Sequence, residues 1–171
     1  MKFSKKGDAG ETSLLWGQRV PKYDLRPETY GVLDEASSVL GVARAMTGNE
    51  TIKEIILGVQ RDLLTMGAEL SCLPEDVPKL AKRIGADDAK RLEDLIDRLQ
   101  EKVELKREFI FPGKTVVSAQ IDVGRTVIRR AERQAARLKS EGMVDNPHIH
   151  EYLNRLADML FVLARWEEEN G

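Results

Sequence analysis

The sequence predicts an all-α protein, a five-helix bundle led by an extended N-terminal arm. Apolar residues return in steps of three and four over long stretches, the spacing that keeps them on one helical face. No strand-type alternation of useful length occurs. Aromatics make up only 5% of the chain and prolines number 6, which argues against a sandwich or barrel. At 171 residues the chain suits one domain with a substantial core. Its organisation reads as an arm over 1–25 and a helical-bundle domain over 26–171.

The arm is rich in Gly, Lys, Asp and Thr without sustained periodicity, and reads as extended chain or loop. The first helix starts near Pro27, a residue pre-shaped for a first helical turn, and runs to about Met46. The second opens near Asn49 and carries one stripe through Ile52, Ile55, Ile56, Val59, Leu63, Met66 and Leu70. The third follows the acidic start Asp87-Asp88, which suits the helix dipole, and carries Leu92, Leu95, Ile96, Leu99 and Val103. Phe109-Ile110-Phe111-Pro112-Gly113 is apolar but short, and reads as a loop. The fourth helix spans about Thr115 to Glu141, with Gly142 placed to cap its end. The fifth has Asn146 as N-cap and Pro147 just inside, then Ile149, Leu153, Leu156, Leu160 and Leu163.

Composition narrows the function. The formal net charge is −2, so there is no general electrostatic reason to bind nucleic acid or membrane, and an anion must be held by a local basic cluster. Cys72 is the single cysteine, which excludes an internal disulfide and reads as core filling. The opening residues lack the apolar stretch of a signal peptide, and no apolar run approaches a membrane span. A cytoplasmic protein is expected.

Two regions could carry chemistry. On the fourth helix, Ile121, Ile128, Ala131, Ala135 and Leu138 share one face, while Asp122, Arg125, Arg129, Glu132 and Arg133 gather opposite. A charged stripe is ordinarily a solvated surface. This one has arginine and no lysine, and arginine is the residue that grips phosphate in fixed geometry. The fifth helix adds a second, non-core line of Asn154, Asp158, Phe161 and Arg165, as if both its faces meet something. The arm reads Ser4-Lys5-Lys6-Gly7-Asp8-Ala9-Gly10-Glu11-Thr12-Ser13. Glycines let backbone approach an anion, lysines bring charge, and hydroxyls bond phosphate oxygens. Walker spacing is absent. His148 and His150, two apart on a helix, point apart and form no metal pair. They are the only histidines, so no Ser/His/Asp set can be assembled.

At these residues the chain resembles the trimeric, propanediol-utilisation type of ATP:cob(I)alamin adenosyltransferase, over nearly its whole length. Four blocks occur in that family's order. The arm is followed by Glu28-Thr29-Tyr30-Gly31-Val32-Leu33-Asp34-Glu35. Next comes Phe109-Ile110-Phe111-Pro112-Gly113, leading to Arg125-Thr126-Val127-Ile128-Arg129-Arg130-Ala131-Glu132-Arg133. Last is Tyr152-Leu153-Asn154-Arg155-Leu156-Ala157-Asp158. The last two blocks together, at this spacing, carry the specificity.

The resemblance implies transfer of the 5′-deoxyadenosyl group of ATP to cobalt(I) of a corrinoid, in a homotrimer that binds ATP between subunits. It implies that Ser4, Lys5, Lys6, Gly7, Asp8, Gly10, Thr12, Ser13 and Lys22 hold the nucleotide with Arg129, Arg130, Glu132, Arg133 and Asn154. Arg129 would be the main phosphate contact. Asp34 would pair with Arg125 of a neighbouring subunit, and Phe109 would lie under the corrin ring. Mg²⁺ would accompany ATP, held mainly by its phosphates, and no metal ligand is assigned. A reductase and an adenosylcobalamin-dependent acceptor enzyme are implied partners. Departures are Ser4 for a common threonine, Ala36 for leucine, Lys114 for the second glycine of Pro-Gly-Gly, and Asp122 for a common histidine. A non-catalytic corrinoid carrier and a helical interaction protein are the alternative readings.

Overall fold

The computed structural model describes residues 5–103, 105 and 108–171. Five long helices form: α1 (Leu25–Met46), α2 (Glu50–Leu70), α3 (Ala86–Gln100), α4 (Val116–Ser140) and α5 (Pro147–Asn170). Each begins where the sequence supplies a cap. The Asp24 carboxylate accepts from Arg26 N, Asn49 from Thr51 N and Ile52 N, Thr115 from Ser118 N, and Asn146 from His148 N. The Asp88 carboxylate accepts from Gly85 N at 3.0 Å and plays the same part for α3. α4 ends as expected. Gly142 takes φ +68°, and the Met143 N–H donates to Leu138 O at 2.9 Å, closing a Schellman turn.

The core lies where the predicted stripes meet. Ile52, Ile56, Leu63 and Met66 of α2 are buried with Ile121, Ile128 and Leu138 of α4 and Leu153, Leu156, Leu160 and Leu163 of α5. Cys72 is buried as well, and burial pushes its thiol pKa up, away from reactive thiolate. α1 packs closely on α4 because of Gly124: a Cβ there would fall 2.7 Å from Leu40 Cδ2. Arg26 ties one end of the bundle together, donating to Leu70 O at 3.0 Å and to Met143 O at 2.5 Å. Glu69 gathers Arg83 Nε at 2.8 Å and Asn146 Nδ2 at 2.9 Å at the same end.

Two features were not foreseen. The arm folds into a small antiparallel hairpin, β1 (Glu11–Ser13) against β2 (Arg19–Pro21), with Thr12 opposite Val20. Three-residue strands are too short to show alternation. A 3-10 turn over Pro74–Lys79 joins α2 to the stretch before α3.

Candidate functional site

The arm is anchored to the bundle through Leu14, Leu15 and Trp16, whose ring lies 5.5 Å from Lys79 Nζ. Leu14 is buried, and Leu15 N donates to Ser71 O at 2.9 Å, pinning the hairpin tip to the end of α2. Lys5–Gly7 forms a single 3-10 turn closed by Asp8 N to Lys5 O, and Gly10 carries φ +82°. Lys22 N donates to Gly10 O at 2.9 Å, and its ammonium hangs beside Gly7, where a Cβ would lie 3.4 Å from Nζ. Lys5, Lys22 and the hydroxyls of Thr12 and Ser13 are thereby brought to one short hairpin. Ser4 lies outside the described residues.

Arg19 is the arm residue that sequence reasoning missed. Its guanidinium donates to Lys6 O at 2.8 Å and Ser13 Oγ at 3.1 Å, and pairs with Glu11 at 3.3 Å. It ties β2 back to the turn. Its only sequence signal was one arginine in an aperiodic stretch.

Two cavities take four of the predicted site residues between them, Ser13 and Asp34 in one and Arg125 and Arg129 in the other. One, of about 410 Å³, runs between the hairpin and the α1–α2 face, and Ser13, Tyr30, Asp34 and Gln60 line it. Asp34 is exposed and has no ion-pair partner among the described residues. The other, of about 440 Å³, lies between α3, α4 and α5 and is lined by Arg125, Arg129, Arg155, Asp158 and Phe161 among others. These four residues therefore fall into two candidate half-sites. Asp34 belongs with the arm, and Arg125 belongs with Arg129.

On α4 the arginines differ sharply in their surroundings. Arg129 is exposed, and its guanidinium has no carboxylate partner among the described residues. Arg130 pairs with Glu35 of α1. Arg133 donates to Arg129 O at 2.9 Å, and Asn154 donates to Glu132 Oε1 at 3.0 Å. Arg125 pairs within its own chain, Nε donating to Asp122 Oδ1 at 3.0 Å. Asp122 bears out the reading that this charged face is not simply solvated. It is only 3% exposed, because the apolar and polar stripes of α4 both meet α5, where Arg165 waits at 2.6 Å.

The loop before α4 exposes its aromatics. Phe109 is 88% and Phe111 83% exposed, in edge contact with ring centroids 5.9 Å apart. An exposed aromatic pair of this size marks an interaction surface. The two histidines have different neighbours: His148 Nδ1 lies 2.9 Å from Glu151 and His150 Nε2 4.0 Å from Glu132. No group of three or more potential metal ligands occurs among the described residues, and no described helix is long and apolar enough to cross a membrane.

The described residues thus combine a helical bundle, a lysine-bearing glycine arm, an arginine with no carboxylate partner among them, and exposed loop aromatics. The chain belongs to the cobalamin adenosyltransferase family, whose model matches residues 2–167. It is 39% identical to a corrinoid adenosyltransferase of Citrobacter freundii, over 97% of this chain and 94% of that one. It is 35% identical to the corrinoid adenosyltransferase PduO of Salmonella typhimurium over 99% of its own length, spanning 50% of that protein. Its fold superposes at a TM-score of 0.92 on a variant PduO-type ATP:corrinoid adenosyltransferase from Lactobacillus reuteri, complexed with cobalamin and ATP. That match has 29% identity and covers 99% of this chain and 91% of the other.

Proposed function

We propose that this chain transfers the 5′-deoxyadenosyl group of ATP to the cobalt of a reduced corrinoid, releasing triphosphate. The observation that carries the reading is Arg129, an arginine with no carboxylate partner among the described residues, on the wall of a 440 Å³ cavity. A guanidinium left unpaired beside a cavity is suited to an anionic ligand, and arginine suits phosphate best.

The reaction is an in-line displacement. The cobalt(I) electron pair attacks ribose C5′, the cobalt–carbon bond forms, and the C5′–O bond breaks with its electrons passing to triphosphate. The nucleophile belongs to the corrinoid, so the protein supplies position and charge rather than a base. This agrees with histidines that are paired at the surface. Lys5, Lys6, Gly7, Asp8, Gly10, Thr12, Ser13 and Lys22, with Ser4, wrap the phosphates from one chain. Arg129, Arg130, Glu132, Arg133 and Asn154 meet them from the next. Mg²⁺ enters with ATP on the phosphate oxygens.

The separation of the half-sites supports assembly between copies. Among the described residues Asp34 has no ion-pair partner, and the terminal nitrogens of Arg125 have no hydrogen-bond partner. An Asp34–Arg125 pair between neighbours would close a ring of three. Phe109 covers the lower face of the corrin and excludes an axial ligand, which makes cobalt(II) easier to reduce. A reductase supplies that electron, and an adenosylcobalamin-dependent enzyme takes the product. ATP as substrate suits a cytoplasmic location.

The test is an anaerobic assay with ATP and chemically reduced cobalamin. Formation of adenosylcobalamin together with one triphosphate per turnover is expected. Binding of the corrinoid without any cobalt–carbon bond would identify a carrier instead.

A further inference from the structure

Asp122 has a contact set that the proposed chemistry does not use. Its carboxylate lies between α4 and α5, 3% exposed, with a different arginine on each oxygen. Oδ1 accepts from Arg125 Nε at 3.0 Å, and Oδ2 accepts from an Arg165 terminal nitrogen at 2.6 Å. Both guanidinia also flank one ring. Arg125 Cζ is 5.9 Å and Arg165 Cζ 5.6 Å from the Phe161 centroid. That terminal nitrogen of Arg165 is shared with Glu168 at 2.9 Å, while its Nε is buried with no hydrogen-bond partner. Two arginines, two carboxylates and one aromatic ring thus form a closed, charge-balanced cluster.

The cluster treats its two arginines differently. Arg165 is consumed by it, being 5% exposed and held at one end by two carboxylates. Among the described residues Arg125 is held by Nε and by the ring alone, and it lines the 440 Å³ cavity beside Arg129. Binding an arginine through Nε leaves its terminal nitrogens, the fork that grips a second carboxylate or a phosphate, free to work. A long side chain carries rotamer freedom that must be lost on binding, and an anchor at Nε removes it beforehand.

We infer that Asp122 is a positioning residue. It locks Arg125 by Nε against Phe161 so that the terminal nitrogens are already aimed when the neighbouring chain and substrate arrive. This rests on the reading of Arg125 as a site residue. It assigns to Asp122 a task that does not require contact with ATP or corrinoid.

The same carboxylate also neutralises Arg165, so the experiment must separate positioning from stability. Asp122→Asn, Asp122→Glu, Arg125→Ala and Asp122→Asn/Arg125→Ala are compared by melting temperature and by kcat and KM from chemically reduced cobalamin. Asp122→Glu keeps the charge that Arg165 needs and displaces the anchor by one methylene, so it serves if Asp122→Asn does not fold. Both single Asp122 variants are expected to lose roughly ten- to a hundredfold in kcat, the scale for a misplaced site group. In the Arg125→Ala background, Asp122→Asn is expected to lower kcat no further, because its effect runs through Arg125. Losses that multiply in the double variant, or an Asp122→Glu enzyme with full kcat, would overturn the inference while leaving Arg125 in the site. Full activity in Arg125→Ala alone would instead remove Arg125 from the site, and the inference with it.

Discussion

Tyr152 is fully buried on α5 and donates its hydroxyl to Asp62 Oδ2 at 2.7 Å, with Arg91 paired to the same carboxylate. Burial, and then the charge of Asp62, push the Tyr152 pKa well above the ordinary tyrosine value. The unfolded chain gives up this proton near pH 10, whereas the folded chain keeps it. The contribution is therefore complete below about pH 10 and is lost as pH climbs from there toward the folded pKa. Each unit in that window removes about 1.4 kcal/mol. Denaturant melts should show wild type losing stability above pH 10 more steeply than Tyr152→Phe, and parallel curves would contradict the assignment. Tyr152→Phe should also be less stable at pH 7 by about 1–3 kcal/mol, since buried Asp62 loses a donor. At the site, Arg129→Ala should slow adenosylation by roughly a hundred- to a thousandfold whether it starts from cobalt(II) or cobalt(I), because triphosphate leaves in both. Phe109→Ala should slow chiefly the reaction from cobalt(II) with a mild reductant, and equal losses from both states would refute its role. The α4 pattern put Arg129 and Arg125 on one stripe, and both do line one cavity. It could not reveal that Asp122 is buried, because that depends on Arg165, a partner 43 residues away. Periodicity assigns a residue to a face and is silent about what the face meets.

The helices were legible because each carries its own punctuation. Asn49 and Asn146 cap as their side chains allow, and Gly142 supplies the positive φ that ends α4. The hairpin was hidden because its three-residue strands are too short to show alternation and what holds them lies outside the pattern. It depends on Arg19 reaching back to Lys6 O and Ser13 Oγ, and on Leu14 finding a buried place against the bundle. Those contacts decide what a truncation should do. Deleting residues 1–12 removes the turn and most of β1 but keeps Leu14 and the Leu15–Ser71 hydrogen bond. None of the five helices starts before Leu25. Helical circular dichroism should therefore survive intact. The stabilisation by ATP should vanish, where the full chain at a hundredfold excess over Kd gains about 2.7 kcal/mol. A truncated chain whose melting temperature still rises normally with ATP would remove the arm from the nucleotide site.

At the scale of the whole molecule, the arm and Asp34 line one cavity while Arg125 and Arg129 line another. The proposed ring of three joins them head to tail, each interface using the arm of one chain and α4 of the next. Such a ring should run at three times the 19.3 kDa chain mass, and it permits a test that needs no high-resolution complex. A chain lacking residues 1–12 and a full-length Arg129→Ala chain should each be inactive alone, for opposite reasons. Refolded together, they form mixed rings in which an intact arm on the Arg129→Ala chain meets an intact Arg129 on the truncated one. Every mixed ring, whichever variant is in the majority, contains one such interface. With random mixing three rings in four are mixed, so about a quarter of all sites should be restored. Activity should thus rise from near zero to about a quarter of wild type per site, and fall again when either variant is in large excess. If each chain instead closes its own arm over its own α4, no mixture can pair the two intact halves. An inactive mixture of verified mixed rings would therefore place the site within a single chain.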